Sequence, residues 1–394
     1  MAGVYEALGV VPVINGVGAA TRLGGLPVSD RVWAAMQESA KTSVRVDELQ
    51  AAAGRRIAEL LGVPSAYVTC GASAALALAT AVCIAGGDPA TIGGLPDPEG
   101  RANEVLVQMG HLDPYDHALT GVGATLRTVG YPMSCRAFEL EAAISAKTAA
   151  VLYRPGAPGD LLSLGEVVAM AHAHSLPVIV DGALTVPPLQ NLSSIMAVGA
   201  DLVAISGGKG FRGPQTSGIL CGRADLIACA GLHHQDMDER PRTWPMKERW
   251  RSEPPRHGIC RAMKVGREQI TGLVAAVTEH TEEGAQPRHT PELDAIVDRL
   301  GNLEAIRTDR SVDIAGEPLL SIDVSTVAAD LDVLIWELGR GSPRVFVRED
   351  DAWRGILKVS DVALLPGDGA RIAEAILAAL DAVSPIGGDK QDHA

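Results

Sequence analysis

The chain has 394 residues, 47% of them hydrophobic and 21% charged. That is globular composition, too long for one ordinary core, and it points to two or more packed units. A formal net charge of −14 argues against nucleic acid as a partner, since polyanions are held by clustered Lys and Arg. The six cysteines form no C-x-x-C pair and no metal-like spacing with histidines, so they read as reduced thiols in a cytoplasmic setting.

The opening residues carry no basic leader followed by an apolar core, so no secretory signal is expected. The longest apolar run, Ala74 to Ala85, falls well short of the ~20 residues that span a bilayer, and no membrane partner is expected. Residues 1–30, with "VPVINGVGAATRLGGLPVS", are glycine-rich and irregular and read as an arm packed on another body. Helical spacing follows from Asp30 to Leu61 and ends at Gly62, a C-terminal cap. "SAYVTCGASAALALATAVCIAGG" is a short strand, a turn and a buried helix, and Gly86 to Asn103 is a loop.

Beyond it strands and helices alternate. "EVLVQMG", "TLRTVG", "TAAVLYRP", "LPVIVDGA" and "ADLVAISGG" read as strands, with "PYDHALTGVGA", "AFELEAAIS" and "LGEVVAMAHAHS" as helices between them. The pattern predicts an α/β fold whose mostly parallel central sheet is covered on both faces. From about Ala275 the texture changes to short strands among two or three helices. The expected organisation is an arm (1–30), a large α/β domain (31–275), a small C-terminal α+β domain (276–386) and a polar, disordered tail (387–394).

Four features converge on one chemistry. Lys209 follows a strand and lies among Gly207, Gly208 and Gly210, where glycines admit a close ligand or a strained turn. Ser206 lies three residues earlier at a strand end; the S-x-x-K nucleophile reading lacks its S-D-N and K-T-G partners. Asp181 ends "LPVIVDGA", and acidic residues at the carboxyl ends of buried parallel strands face the ligand crevice. The turn Gly71-Ala72-Ser73 runs from strand into helix and suits a phosphate, although it matches neither G-x-x-x-x-G-K-[ST] nor G-x-G-x-x-G. A lysine, a carboxylate for a ring nitrogen and a helix N-terminus are what pyridoxal 5′-phosphate (PLP) needs. His111, just past another strand, could stack on the ring or cap a helix.

The chain resembles the fold-type I PLP superfamily, in its selenocysteine synthase-like branch. That branch groups L-seryl-tRNA(Sec) selenium transferase with D-glucosaminate-6-phosphate ammonia-lyase-like proteins. "VINGVGAATRLGG" (13–25), "AYVTCGASAAL" (66–76), "LPDPEGRANEVLVQMGHLDPYDHAL" (95–119), "LPVIVDGALTVPP" (176–188), "GADLVAISGGKGFRGPQTSGILCGR" (199–223) and "GICRAMKVGREQITGLVAAV" (258–277) carry the likeness. The resemblance implies Lys209 as the Schiff-base residue and Asp181 as the ring-nitrogen partner. It also implies Gly71, Ala72, Ser73, Ser206 and Gln215 around the cofactor, and at least a homodimer. Two departures bear on substrate. The "VING" arm begins by residue 13, where the selenium transferase carries an added region for tRNA, and Leu112 follows "GH" where an arginine is expected in lyase-like relatives.

The resemblance implies Cα deprotonation of an amino acid with loss of a β-substituent, as in an ammonia-releasing lyase or dehydratase, with Lys209 as the base. Racemisation or epimerisation, β-replacement and aldol cleavage share the first step. Outside this class stand a catalytically silent PLP-binding regulator and a metal-dependent hydrolase using His111, His117 and Asp181. For the substrate carboxylate the candidates are Arg348 and Arg344, with Thr21 beside the substrate. Arg261, Lys264 and Arg267 form a basic cluster on an expected helix that could anchor a substrate phosphate or reach a neighbouring subunit.

Overall fold

A computed structural model describes residues 3–244, 253–283, 290–301, 303–313, 316–328 and 330–383; the expected tail, 387–394, lies outside them. The chain forms two compact units, one of Val28–Ala285 and one of Met1–Pro27 with Gln286–Ala394. The N-terminal piece contributes β1 (Val13–Asn15). The large unit contributes β2 (Ser65–Thr69), β3 (Glu104–Gln108), β4 (Thr125–Val129), β5 (Thr148–Tyr153), β6 (Val178–Asp181), β7 (Leu202–Ser206) and β8 (Gly218–Gly222). The chain returns to the small unit with β9 (Arg307–Val312), β10 (Pro318–Asp323), β11 (Arg344–Phe346) and β12 (Ile356–Ser360).

The seven strands of the large unit are ordered β2-β8-β7-β6-β5-β3-β4. Only β8 runs against its neighbours, pairing antiparallel with both β7 and β2. The others share one direction, so Thr69, Gln108, Tyr153, Asp181 and Ser206 end their strands at one edge. Alternate side chains feed two cores. Val178, Val180 and Val203 pack into one, and Ile179, Leu202 and Ala204 into the other. Burial on both faces is why these strands are continuous apolar runs. The helix Ala72–Ala85 is apolar all round because it lies within the second core, with Leu76, Leu78 and Val82 almost completely shielded.

Helical spacing over 30–61 resolves into Asp30–Ser39 and Val46–Leu61, the latter closed by Gly62 at φ +66°. Three local expectations need correction. The loop 86–103 contains a helix, Pro89–Gly94, started by Asp88, whose carboxylate accepts from the Thr91 amide (3.2 Å). "PYDHALTGVGA" is a 3-10 turn, Pro114–Asp116, followed by a single turn, His117–Thr120, because Asp116 Oδ2 accepts from the Asp113 amide (3.1 Å) and Asp113 Oδ1 from the Tyr115 amide (2.8 Å) in a local cap. The basic cluster does not share one helix: Arg261 lies in a 3-10 turn, Ile259–Met263, and Arg267 opens the helix Arg267–Glu283.

In the small unit β12-β10-β9 form an antiparallel sheet, and β1 pairs in parallel with β11. Ile14 from the arm enters the same core as Leu320, Leu334, Val345 and Ile376. The Gly16 amide donates to Phe346 O and the Ser360 amide to Gly16 O, each at 2.8 Å. The arm residues therefore belong to the C-terminal body. Among the described residues no helix is long and apolar enough to cross a membrane.

Candidate active site

The large unit collects its polar residues at the carboxyl edge of the sheet. Lys209 lies in the loop that joins β7 to β8, and Ser206, Gly218 and Thr69 face one another in register across β7, β8 and β2. The Gly207 amide donates to Ser217 O (2.9 Å) and the Gly213 amide to Gly207 O (2.8 Å), which ties the loop back on itself. Its glycines answer to clearance. None of Gly207, Gly208 and Gly210 has positive φ. A Cβ at Gly207 would stand 2.3 Å from Ser217 Oγ, at Gly208 2.8 Å from Gln215 Cα, and at Gly210 2.7 Å from Pro187 Cδ. The chain itself fills the space a side chain would need, so the lysine is presented on a jammed, unyielding support.

The Lys209 amine is partly buried. Burial pushes its pKa below the ordinary lysine value, and the carboxylates of Asp181 and Asp113 pull the other way without cancelling it. An amine so placed reaches its neutral, nucleophilic form more readily than a surface lysine.

At the head of helix Ala72–Ala85, Gly71 adopts φ +150° and no side chain caps the end. The first turn closes from the Ala75 amide to Gly71 O at 3.0 Å, so the amides of residues 72–74 have no acceptor within the helix. Thr69 Oγ1 donates to Gly71 O (2.9 Å), which fixes the turn. Gly218 packs against the Gly71 backbone so closely that a Cβ would lie 2.5 Å from the Gly71 carbonyl carbon. The turn and the lysine loop are thus mechanically joined. Ser73 is exposed, and Ala72, Ser206 and Gln215 are partly buried.

Asp181 is the last residue of β6; its Oδ1 accepts from the Ala183 amide (3.2 Å) and its Oδ2 from Arg154 Nε (3.1 Å). Arg154 had no place among the sequence candidates. It follows β5 directly, and the rule that singled out Asp181, a charged residue at the carboxyl end of a buried strand, finds it too. Its Nη1 lies 2.7 Å from Asp116 Oδ1, a close charge contact without hydrogen-bond geometry, and donates to His111 O. Its Nη2 is buried with no hydrogen-bond partner among the described residues.

His111 is buried, with its ring edge-on to Tyr153 at 4.7 Å between centroids. The Arg154 amide donates to its Nδ1 (3.4 Å), which leaves Nε2 as the protonated nitrogen. Burial, seconded by the Arg154 charge, pushes its pKa down to about 4, so the ring is neutral near pH 7.

The remaining candidates make contacts of their own. Arg348 is half-buried in the small unit, with Asp350 at 2.8 Å and Asp313 at 3.7 Å. Arg344 is exposed and donates from Nε to Gly339 O (2.8 Å), and Thr21 is exposed at the start of the 3-10 turn Thr21–Leu23. Arg261 is ion-paired with Asp236 (2.9 Å), Arg267 donates to Ser39 O and Ala40 O, and Lys264 is exposed. His117 does not join His111 and Asp181 in a metal-like group; the described residues that converge in that way are Asp236, Asp238 and His257, all exposed.

A half-buried amine, a shielded carboxylate, an open helix N-terminus and an orphaned buried guanidinium donor fit PLP. Space fits as well, because a Cβ built at Gly71 meets nothing within 4 Å. The sheet order and this edge define the class: a fold-type I PLP enzyme.

The comparisons agree. The chain is 32% identical over 383 residues to a 5′-C-glycyluridine monooxygenase-decarboxylase of Streptomyces sp, covering 92% of this chain and 88% of that one. It is 30% identical over 380 residues to the D-glucosaminate-6-phosphate ammonia lyase of Salmonella typhimurium (strain 14028s / SGSC 2262), covering 94% and 95%. A solved D-glucosaminate-6-phosphate ammonia-lyase superposes with a TM-score of 0.83 at 28% identity, over 97% of this chain and 99% of that chain. The L-seryl-tRNA(Sec) selenium transferase of Desulfovibrio desulfuricans (strain ATCC 27774 / DSM 6949 / MB) is 34% identical over 137 residues, 31% of this chain and 29% of that protein. No protein-family model matches. The chain belongs to the selenocysteine synthase-like branch of fold-type I enzymes, with D-glucosaminate-6-phosphate ammonia-lyase. Its cofactor is PLP and its activity is of the lyase type.

Proposed function

We propose that the chain is a lyase or dehydratase for a free amino acid, removing the Cα proton, expelling a β-substituent and releasing a 2-oxo acid and ammonia. What supports this most is the half-buried Lys209 amine, with its lowered pKa, on the sheet edge that also carries Asp181. PLP, when bound, supplies an electron-withdrawing ring that delocalises negative charge developing at Cα. Asp181 holds the proton on the ring nitrogen, and the amides of 72–74 with Ser73, Ser206 and Gln215 bind the phosphate end. Lys209 Nζ takes the Cα proton, and its shielding from water keeps the neutral amine accessible. His111, neutral and buried, would border the ring and keep water from it.

Arg348 or Arg344 binds the substrate carboxylate in this reading, beside Thr21. Leu112, 46% exposed beside His111, favours a substrate whose distal tail is uncharged. The net charge of −14 favours a free amino acid over a tRNA-bound one. Six free cysteines fit a reducing cytoplasm, and we take the active form to be a homodimer.

A second reading draws on the likeness to the monooxygenase-decarboxylase: the same site would break the Cα–carboxylate bond, with dioxygen as oxidant. A panel of hydroxy and sugar amino acids, assayed with and without oxygen, separates the two. The first reading requires oxygen-independent 2-oxo acid and ammonia in equal amounts, with solvent deuterium entering Cα of recovered substrate. Carbon dioxide with oxygen uptake supports the second, and deuterium exchange without ammonia supports a racemase. Lys209→Ala should abolish every activity and the borohydride-reducible chromophore; retained turnover would sink both readings.

A further inference from the structure

Arg154 sits between two carboxylates in a shielded place. Its side chain is 11% exposed, against 13% for Asp181 and 15% for Asp116. One guanidinium serving two carboxylates, with Asp113 also acting on Lys209, makes a neighbourhood of net negative charge. Such a place does not recruit a substrate anion. What the guanidinium does there is make Asp181 tolerable as an ion. Holding a charge out of water costs least when an opposite charge is paired with it at hydrogen-bond distance, as Arg154 Nε is with Asp181 Oδ2 at 3.1 Å.

That matters to a proton shared between Asp181 and a ring nitrogen. When Asp181 is stable as an anion, the proton stays on nitrogen and the ring withdraws electrons strongly. Without its cation Asp181 would compete better for that proton, and the ring would then be a neutral hydrogen-bond acceptor. We propose that Arg154 is a positioning residue that keeps Asp181 ionised, and that Asp116 anchors it, so that this partly buried triad sets the protonation of the cofactor ring nitrogen. The inference rests on the PLP site read above. Through its amide and Nη1, Arg154 also grips His111, so one residue orients two groups expected to touch the ring.

The test is nitrogen NMR of the holoenzyme loaded with ring-15N PLP at pH 7. In the parent protein the ring nitrogen should report as protonated, and Asp181→Asn should define the unprotonated limit. Arg154→Gln should move the signal at least half the way to that limit, and Arg154→Lys, which keeps the charge, should restore it. Solvent exchange of the substrate Cα proton should slow about tenfold or more in the glutamine variant, a loss of ~1.4 kcal/mol of transition-state stabilisation. Arg154→Met, of similar length, substitutes if the glutamine variant fails to fold. A folded, loaded Arg154→Gln or Arg154→Met protein whose ring nitrogen stays as protonated as the parent's overturns the inference. If Asp181→Asn also leaves the signal unmoved, both the inference and the placement of Asp181 fall; movement in Asp181→Asn alone overturns the inference and spares the site.

Discussion

Gly218→Ala probes whether the phosphate turn and the lysine loop act as one piece. The new Cβ would stand 2.5 Å from the Gly71 carbonyl carbon and 2.8 Å from its Cα and O, where ordinary contact begins near 3.4 Å. All three obstacles are backbone, so no side chain can swing away. Gly218 is pinned in register between Thr69 and Ser206, and Gly71 caps the start of the helix at φ +150°. Overpacking of this kind costs ~1–3 kcal/mol. If the turn absorbs it, PLP affinity falls by roughly 5- to 150-fold; if the sheet absorbs it, the urea midpoint drops instead. A fluorescence titration with PLP and a urea melt of the apoprotein measure the two shares. Gly93→Ala is the control, because a Cβ there meets nothing within 4 Å and φ is not positive; it should leave affinity alone and stability equal or slightly raised. Should Gly218→Ala match the parent in both measurements, the mechanical link between turn and loop does not exist.

Acid should destabilise the protein partly through His111. Its folded pKa of about 4 lies below its ordinary 6.5, so the unfolded chain takes up the proton first as pH falls. The contribution is whole above 6.5 and is lost on going down toward 4, about 3 kcal/mol at ~1.36 kcal/mol per pH unit; His111→Asn should flatten that slope in urea melts, and an unchanged slope would refute the account. Asp201, 3% exposed, accepts from the Val178 amide (2.8 Å), His172 Nε2 (2.9 Å) and Arg223 Nη1 (3.0 Å). Asp201→Asn turns one acceptor into a donor facing those groups and should cost about 2–4 kcal/mol in chemical denaturation.

The strands that burial on both faces makes apolar, β3, β5, β6 and β7, could be read from composition alone. β8 and β9 could not, nor could β1, three residues inside an arm that reads as irregular. β8 is five residues, "GILCG", bracketed by glycines; the one at its head exists for clearance against Gly71, which no local pattern announces. β9, "RTDRSV", is polar and largely exposed along an edge, so it lacks the alternation that marks a strand. Lys209 and Asp181 were visible because a charge at the end of an apolar run is conspicuous. Arg154 has the same placement, yet a charged residue before a proline reads as the end of a strand. Asp116 was hidden for another reason: its loop carries enough helical spacing to be taken for a helix, and the caps made by Asp113 and Asp116 cut that helix short. For the loop glycines, sequence cannot separate a need for positive φ from a need for room, and only the neighbours of Gly207, Gly208 and Gly210 decide it.

The pairing of β1 with β11 joins positions 13–15 to 344–346, and this has a consequence for biosynthesis. β1 leaves the ribosome some 330 residues before its partner, a wait on the order of half a minute at ordinary elongation rates. Meanwhile the whole large unit can emerge and collapse, while Ile14 stays unsheltered. A chaperone that captures nascent apolar segments would find its target at β1, and its release would follow completion of the body that holds β11.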